Sequence, residues 1–449
     1  MIDVICPVIF NADHFAIIVF TLMIGALTGL LRKSGAIYAF IHMLSNLIIG
    51  PRSLQVVTAL CGLIIFFDDH ANCHCVGSSM RKSFQTHGVS KEKLAFIVDS
   101  TAAPVACLAL VSTWIAFQVG LIDDALKNST IDLDAYALFI DSIPYNFYAL
   151  FTLVIVFITA STGRDFGPML LKETISAPQK KSAMIADKTE NKKLALFLVP
   201  TIALIGMTFL VLLASTKTNS YMAMLIGASF SLFTALLIVL ATNIAEPHEA
   251  FSWIMEGIKN LLPSMALLMF AWFFARGLAD LSTASYLANL ISKSFEPALL
   301  PTLVFALSAL LSFITGTSFG TMAWLMPTAL PIIFLITNDS SLYCATVAAL
   351  LGGSVFGDHC SPISDTTILS SISAQCDLNA HSSTQMPYAL LGAFLSIFCG
   401  TIPIAFGISH GYVLTAGIVI IYFFFRIAGQ ENDYSFVVVN QSLEKKLSI

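Results

Sequence analysis

The sequence predicts an all-α polytopic membrane protein, and three observations carry the prediction. Of its 449 residues, 57% are hydrophobic and only 11% charged, with a mean hydropathy of +0.84; soluble domains carry roughly 25% charged residues. The apolar residues come in runs of span length, without the ~10-residue alternating segments of a membrane β-barrel. Carboxylates also stand inside two of these apolar stretches, CGLIIFFDDHANCHCVGSSMR (Cys61 to Arg81) and AALLGGSVFGDHCSPISDTTILSS (Ala348 to Ser371). At membrane depth a carboxylate costs about 2.5–3.5 kcal/mol, so such residues persist where they face a wet cavity or bind something.

About nine full spans follow, at 14–32, 94–122, 145–163, 195–214, 221–241, 261–281, 340–372, 387–408 and 412–427. Two of them, 94–122 and 340–372, are overlong and interrupted by polar residues with Pro104 and Pro362, and read as broken helices. Segments 54–80 and 298–330 are apolar but rich in Gly, Ser and Thr at their centres, and read as re-entrant hairpins. Loop 123–141 carries Asp123, Asp124, Asp132, Asp134 and Asp141 and is expected outside. Loop 164–194, with Arg164, Lys172, Lys180, Lys181, Lys188, Lys192 and Lys193, is expected in the cytoplasm. This threading leaves only Lys127, Lys217, Arg276 and Lys293 off the cytoplasmic side, with the N-terminus external. The chain then divides into a first transport repeat (1–163), a cytoplasmic loop (164–194), connecting helices (195–260), a second inverted repeat (261–427) and a cytoplasmic tail (428–449).

The repeat is visible in the residues. GLLRKSGAIY (29–38) aligns with GLADLSTASY (277–286), matching Gly29/Gly277, Leu30/Leu278, Ser34/Ser282, Ala36/Ala284 and Tyr38/Tyr286. In each half a span end is followed by a short amphipathic stretch, a hairpin and a broken helix. Discontinuous helices in matching places of an inverted repeat point to a secondary transporter with its site at the midplane.

A broken helix exposes free N–H groups at one cut end and free carbonyls at the other. With Ser/Thr hydroxyls and one or two carboxylates, those carbonyls make the hard oxygen set that suits sodium. The candidates are Asp68, Asp69, Asn72, Asp99, Ser100 and Thr101 in the first half, and Thr315, Thr317, Ser318, Asp358, Ser361, Ser364, Asp365 and Thr366 in the second. Gly316, Gly320, Gly352, Gly353 and Gly357 allow close backbone approach, and Pro104 and Pro362 break the helical ladder. A carboxylate shared between a cation and a proton gives exchange without further machinery, because each ligand expels the other. Adjacent Asp68 and Asp69 titrate as a coupled pair.

Other readings stand beside these. Asp68-Asp69 could cap the helix after the hairpin turn, and Asp358 could cap a half-helix beginning at Pro362. His70, Cys73, His74 and Cys75, with His359 and Cys360, invite a metal reading, but C-x-C and H-x-x-x-H are loose matches to transition-metal spacing. Arg276 near a span end reads as snorkelling, and the lysine-rich loop as an orientation signal or a lipid head-group contact. The net charge of −5 says little in a membrane protein, where the distribution of charge matters more than the sum, and the lack of a basic stripe leaves no nucleic-acid footprint. The nine cysteines, mostly in apolar runs, read as core residues. The N-terminus lacks the basic region and cleavage site of a signal peptide, and no motif calls for a cofactor.

At these residues the chain resembles the NhaC-type Na+/H+ antiporter family, within a larger group of ion transporters that includes organic-anion carriers. The resemblance rests on IIFFDDHANCHCVGSSMRK, KLAFIVDSTAAPVACLALVSTWIAFQVGLI, SIPYNFY with ASTGRDFGPM, and GGSVFGDHCSPISDTTILSSISA, and runs from about 14 to 410. It implies sodium- or proton-coupled transport, an inverted-repeat fold and a bacterial inner membrane. The family's polar motif carries over onto Asp68, Asp69, Asn72, Asp99, Ser100, Thr101, Asp358, Ser361, Asp365 and Thr366. Against the family, the chain reads as shortened by one or two spans at its start, has His70 where an aromatic commonly follows the Asp pair, and has an unusual Cys73-His74-Cys75.

The expected function is therefore Na+/H+ antiport, with Na+, H+ and membrane lipid as partners and a homodimer compatible with the sequence. The alternative is coupled exchange of an organic acid or amino acid. An organic anion calls for a nearby Arg or Lys, and the clusters hold no basic residue besides histidines. A third class, an intramembrane metalloenzyme, would use Asp68, His70, His74 and Cys75.

Overall fold

The computed structural model describes residues 11–127, 129, 131, 133–176, 190–214, 220–294 and 296–432. Asp132, Lys180, Lys181, Lys188, Lys217, the first ten residues and the tail from 433 lie outside the described residues, so the orientation expected from them is not visible. Nearly all the described chain is helical. Among the described residues nine helices are long and apolar enough to cross a membrane, and two bent pairs add to them.

The first half opens with α1 (Ala12–Lys33), capped by the Asn11 side chain on the Asp13 N–H at 2.9 Å. A left-handed residue, Gly35 at φ +80°, turns the chain into the short α2 (Ala36–Ser45). Hairpin 1 is α3 (Pro51–Ile64) and α4 (Asp69–His87). With 14 residues, α3 is about 21 Å long, too short for a ~30 Å hydrocarbon core. Next come α5 (Lys91–Leu108) and α6 (Thr113–Lys127), bent 44° to each other. After α7 (Ala135–Ser142) and a turn of 3₁₀ helix, α8 (Phe147–Thr162) closes the half.

Past α9 (Gly167–Ile175), α10 (Glu190–Ala214) and α11 (Ser220–Ala241), the order of elements repeats. The 34-residue α12 (Pro247–Asp280) begins well before the expected start at 261 and leads through Ser282, at φ +53°, into α13 (Thr283–Ser294). Hairpin 2 is α14 (Leu300–Thr315) and α15 (Ser318–Ile336). Then come α16 (Ser340–Cys360) and the half-helix α17 (Asp365–Ala374), separated by residues 361–364. Helix α18 (Leu378–Leu395) passes through a π-helical turn into α19 (Ile402–Ala405), and α20 (His410–Ile427) ends the bundle. The fold is an inverted-repeat transporter with two hairpins and two broken helices, as the sequence predicts. The second arm of hairpin 2 runs on to Ile336, past the expected end at 330.

Two breaks differ from expectation. Pro104 lies inside α5, and the helix stops at Leu108. An interior proline is tolerated in a membrane helix packed among neighbours that can satisfy the freed backbone group. The chain breaks where Ser112 offers a substitute, accepting from the N–H groups of Trp114 and Ile115 at 3.2 Å and donating to the Ala106 carbonyl at 2.9 Å. Gly357 is likewise within α16: a Cβ there would lie 2.4 Å from the Ser312 Cβ, so it sets the contact with α14. Pro362 does fall in a break, and Gly316, at φ +69°, turns the tip of hairpin 2 against Ile363 of that break.

A buried polar knot closes one end of the bundle. Asp165, fully buried, accepts from Lys93 Nζ at 2.6 Å and Tyr388 OH at 2.7 Å on one oxygen, and from Asn432 Nδ2 at 2.8 Å on the other. Strand β2 (Gln430–Glu431) pairs antiparallel with β1 (Arg164–Asp165) and brings Asn432 in. Arg52 at the start of hairpin 1 pairs with Glu431.

Candidate functional site

Each hairpin tip docks on the break of the helix that follows it. At tip 1 the Phe67 carbonyl accepts from the Thr113 N–H at 2.9 Å. At tip 2 Ser318 donates to Asp358 Oδ2 at 2.8 Å and to the Ser354 carbonyl at 3.3 Å. Three carboxylate groups result, and the first turn of α17 touches all of them.

The first group is Asp358, buried in the last turn of α16, while Ser364 holds the N-cap position of the following half-helix. Its Oδ2 accepts from Ser318, and its Oδ1 accepts from Ser364. Ser364 in turn contacts Thr366 Oγ1 at 3.2 Å. Two hydroxyls from two chain breaks thus frame one carboxylate. Ser361 is buried at the same break, and its Oγ has no hydrogen-bond partner.

The second group is Asp99, fully buried on α5. Its Oδ2 accepts from Gln385 Nε2 at 2.6 Å and lies 3.3 Å from His381 Nε2 and 3.4 Å from Thr367 Oγ1. Gln385 also donates to the His359 carbonyl at 2.9 Å, and His359 Nδ1 meets Tyr148 OH at 3.0 Å. Thr367 donates to the Asp358 carbonyl as well, at 3.2 Å, which joins the first two groups.

The third group is Asp68, Asp69 and His70, whose ligand atoms lie within 4.8 Å of one another. Asp68 caps α4 by accepting from the Ala71 N–H at 2.6 Å, so the capping reading of this residue holds. His70 reaches Asp69 at 3.5 Å and, through Nε2, Asp365 Oδ2 at 3.0 Å. The Asp365 side chain is 66% exposed and that of His70 43%, while Asp68 and Asp69 are buried. Exposed Pro362 and Ile363 beside them mark this as the open side of the site. His74 is exposed and, like Cys75, stands outside the converging group.

The remaining candidates hold the architecture together. Asn72 donates to the carbonyls of Gly62 at 2.8 Å, Thr101 at 3.1 Å and Ile65 at 3.3 Å, tying the tip of hairpin 1 to α5. Thr101 donates back along its own helix to Ile97 at 2.7 Å, and Ser100 is buried beside Asp99. Thr317 caps α15 through the Gly320 N–H at 3.3 Å. Thr315 is exposed and donates to the Leu311 carbonyl at 2.8 Å, away from the three groups. Arg276 pairs with Asp280 at 3.3 Å. Tyr148, Thr367, His381 and Gln385 are absent from the set predicted by sequence. His381 and Gln385 stand four apart in HSSTQ, on one face of α18, just ahead of the apolar run that marks the span.

Hairpins docked on broken helices around buried carboxylates define a secondary transporter spanning the membrane many times. Two solved structures share the fold. The Alcanivorax borkumensis YdaH transporter, described as having an unusual topology, superposes with a TM-score of 0.68 at 16% identity over 91% of this chain and 88% of its own. Neisseria gonorrhoeae MtrF, described as illuminating a class of antimetabolite efflux pumps, gives 0.58 at 13% identity over 91% and 81%. An uncharacterized Haemophilus influenzae protein is 32% identical over 84% of this chain and 76% of its own length. An uncharacterized Na(+)/H(+) antiporter of the same organism is 28% identical over 35% and 33%. The profile of the Na+/H+ antiporter family matches residues 105–403. The chain belongs to the Na+/H+ antiporter family.

Proposed function

We propose that the protein exchanges Na+ for H+ across a bacterial inner membrane, with Asp358 as the carboxylate that the two ions share. One observation carries the reading: a buried carboxylate framed by the hydroxyls of Ser318 and Ser364, each from a different chain break. Hydroxyl and carboxylate oxygens suit a small hard cation. Protonation of the same carboxylate removes its charge, so the proton and the cation compete for one place. Asp68, Asp69, Asp365 and Thr366 line the approach from the open side. Asn72, Thr317, Gly316 and Pro362 hold the breaks that make it. One charge moved across 100 mV corresponds to about 2.3 kcal/mol, so an unequal stoichiometry draws on the membrane potential.

Coupled exchange of an organic acid or amino acid is the second reading. MtrF, which shares the fold, is described with a class of antimetabolite efflux pumps, so the fold accommodates cargo other than ions. Against it, among the described residues no Lys or Arg pairs with Asp68, Asp69, Asp99, Asp358 or Asp365. Proton flux in proteoliposomes with a pH dye decides between them. Proton release on NaCl alone, lost in Asp358→Asn, supports antiport; release only when an organic acid is supplied sinks it. Labelling of Lys188→Cys from the cytoplasmic side alone tests the orientation, and crosslinking in membranes tests the homodimer.

A further inference from the structure

We propose that the Asp99 group is a second cation site, separate from Asp358, whose oxygen ligands are Asp99 Oδ1 and Gln385 Oε1. The inference rests on the antiport reading and adds to it a site of different composition, completed by a helix that the sequence motifs leave out.

The two buried carboxylates differ in how they are satisfied. Both oxygens of Asp358 accept hydroxyl hydrogen bonds. At Asp99 all three contacts converge on Oδ2, and Oδ1 is buried with no hydrogen-bond partner. Two further side chains that touch Oδ2 carry a buried atom in the same condition, Gln385 Oε1 and His381 Nδ1. Buried polar atoms are normally paired, and a group of unpaired ones marks a place for an ion or an ordered water. An ion fits the charge. Asp99 is fully buried, and of the side chains on its carboxylate the amide and the threonine are neutral while His381 carries a charge only when protonated. An ionised carboxylate taken out of water needs a compensating positive charge.

The donors suit a small monovalent cation. A carboxylate oxygen and an amide oxygen are hard ligands. Pro104, having no N–H, also leaves the Ser100 carbonyl without its usual helical donor, at the level of Asp99 on α5. The His381 ring flanks the oxygen set, and Tyr148 OH fixes the neighbouring His359 ring from the far side. Gln385 is the selective element. Its Nε2 is committed to Asp99 Oδ2 and the His359 carbonyl, which leaves Oε1 as the end of the amide available to an ion.

The test is a titration of the full-length protein in detergent with 22Na+ in a scintillation proximity assay, which needs no transport. Wild type is expected to bind about two Na+ per chain at saturation, falling to about one when either site is removed. Gln385→Leu and Asp99→Asn should each raise the Na+ concentration for half-saturation of one component by roughly 10–100-fold, while Gln385→Glu, which keeps an oxygen there, should bind. If Gln385→Leu fails to fold, Asp99→Asn against Gln385→Glu makes the same comparison. Single-site binding in wild type that Asp358→Asn alone abolishes overturns the second site and leaves the antiport reading standing. Wild-type titration retained in both Asp99→Asn and Gln385→Leu also overturns it. Absence of Na+ binding and of Na+-driven proton flux in wild type would remove both readings together.

Discussion

At the tip of hairpin 1 the two residues after the turn are Asp68 and Asp69; at the tip of hairpin 2 the same two places hold Thr317 and Ser318. The backbone device is shared. Asp68 accepts from the N–H three residues on at 2.6 Å, and Thr317 does the same at 3.3 Å. The chemistry is exchanged with the break that each tip meets. In the first half the hairpin is acidic and the break supplies hydroxyls, Ser112 and Thr113. In the second the hairpin supplies hydroxyls, and the carboxylates Asp358 and Asp365 lie on either side of the break. The repeat keeps the places where helices stop and leaves free which partner carries the charge.

The largest expected effect tests whether the charge in the second half sits on the helix rather than the hairpin. Asp358→Asn should cut Na+-dependent proton flux by about 100-fold or more, with expression near wild type, since an amide cannot exchange a proton. Retained flux would place the exchange in hairpin 1. Asp69→Asn comes next, with flux in proteoliposomes reduced about tenfold, a change of roughly 1.4 kcal/mol. By contrast Asp68→Asn keeps a capping oxygen and should leave thermal stability unchanged, while Asp68→Ala should lose about 1 kcal/mol. If Asp69→Asn transports normally, the acid pair of hairpin 1 is a cap and nothing more. Gly316→Ala forces a side chain into φ +69° against Ile363 and should cost about 1–3 kcal/mol in detergent thermal unfolding. Ser318→Ala removes one donor to Asp358, raising half-saturating Na+ by a factor that corresponds to about 1 kcal/mol; Ser318→Cys, a weaker donor, should fall between. The smallest effect belongs to Ser129→Ala, whose Oγ, among the described residues, bonds the local backbone at Leu126 and Ile131. Its stability should stay within about 0.5 kcal/mol of wild type, and altered transport there would mean that the ion path reaches the acidic loop.

Hairpins and broken helices are legible in the sequence because polar residues inside span-length apolar runs mark where a membrane chain must turn or stop. Asp358, Ser364, Asp68 and Asp69 are found on the same grounds. Break positions are less legible. Pro104 suggests an interruption, yet one lost hydrogen bond is minor in a fully packed helix, and Ser112 sets the stop further along the chain. Thr315 looks equivalent to Thr317 in sequence, but a residue on the last turn of α14 points with its own helix, and burial separates the two. The Asp99 partners are harder to see because His381 and Gln385 sit outside the apolar window that marks a span. A polar i, i+4 pair opening a membrane helix is the available signal.

Asp165 is completed by donors far apart in the order of synthesis: Lys93 stands 72 positions before it and Asn432 267 positions after it. A chain emerging from the ribosome in order folds its early parts first, so the base of α5 carries a buried ammonium and its carboxylate long before the last donor arrives. Chain termination before Gly429 would leave the second oxygen of Asp165 without Asn432, and a truncated product would differ from the longer one at the far end of the helix that holds Asp99. A segment made late thus acts as a seal of completion on one of the first helices inserted.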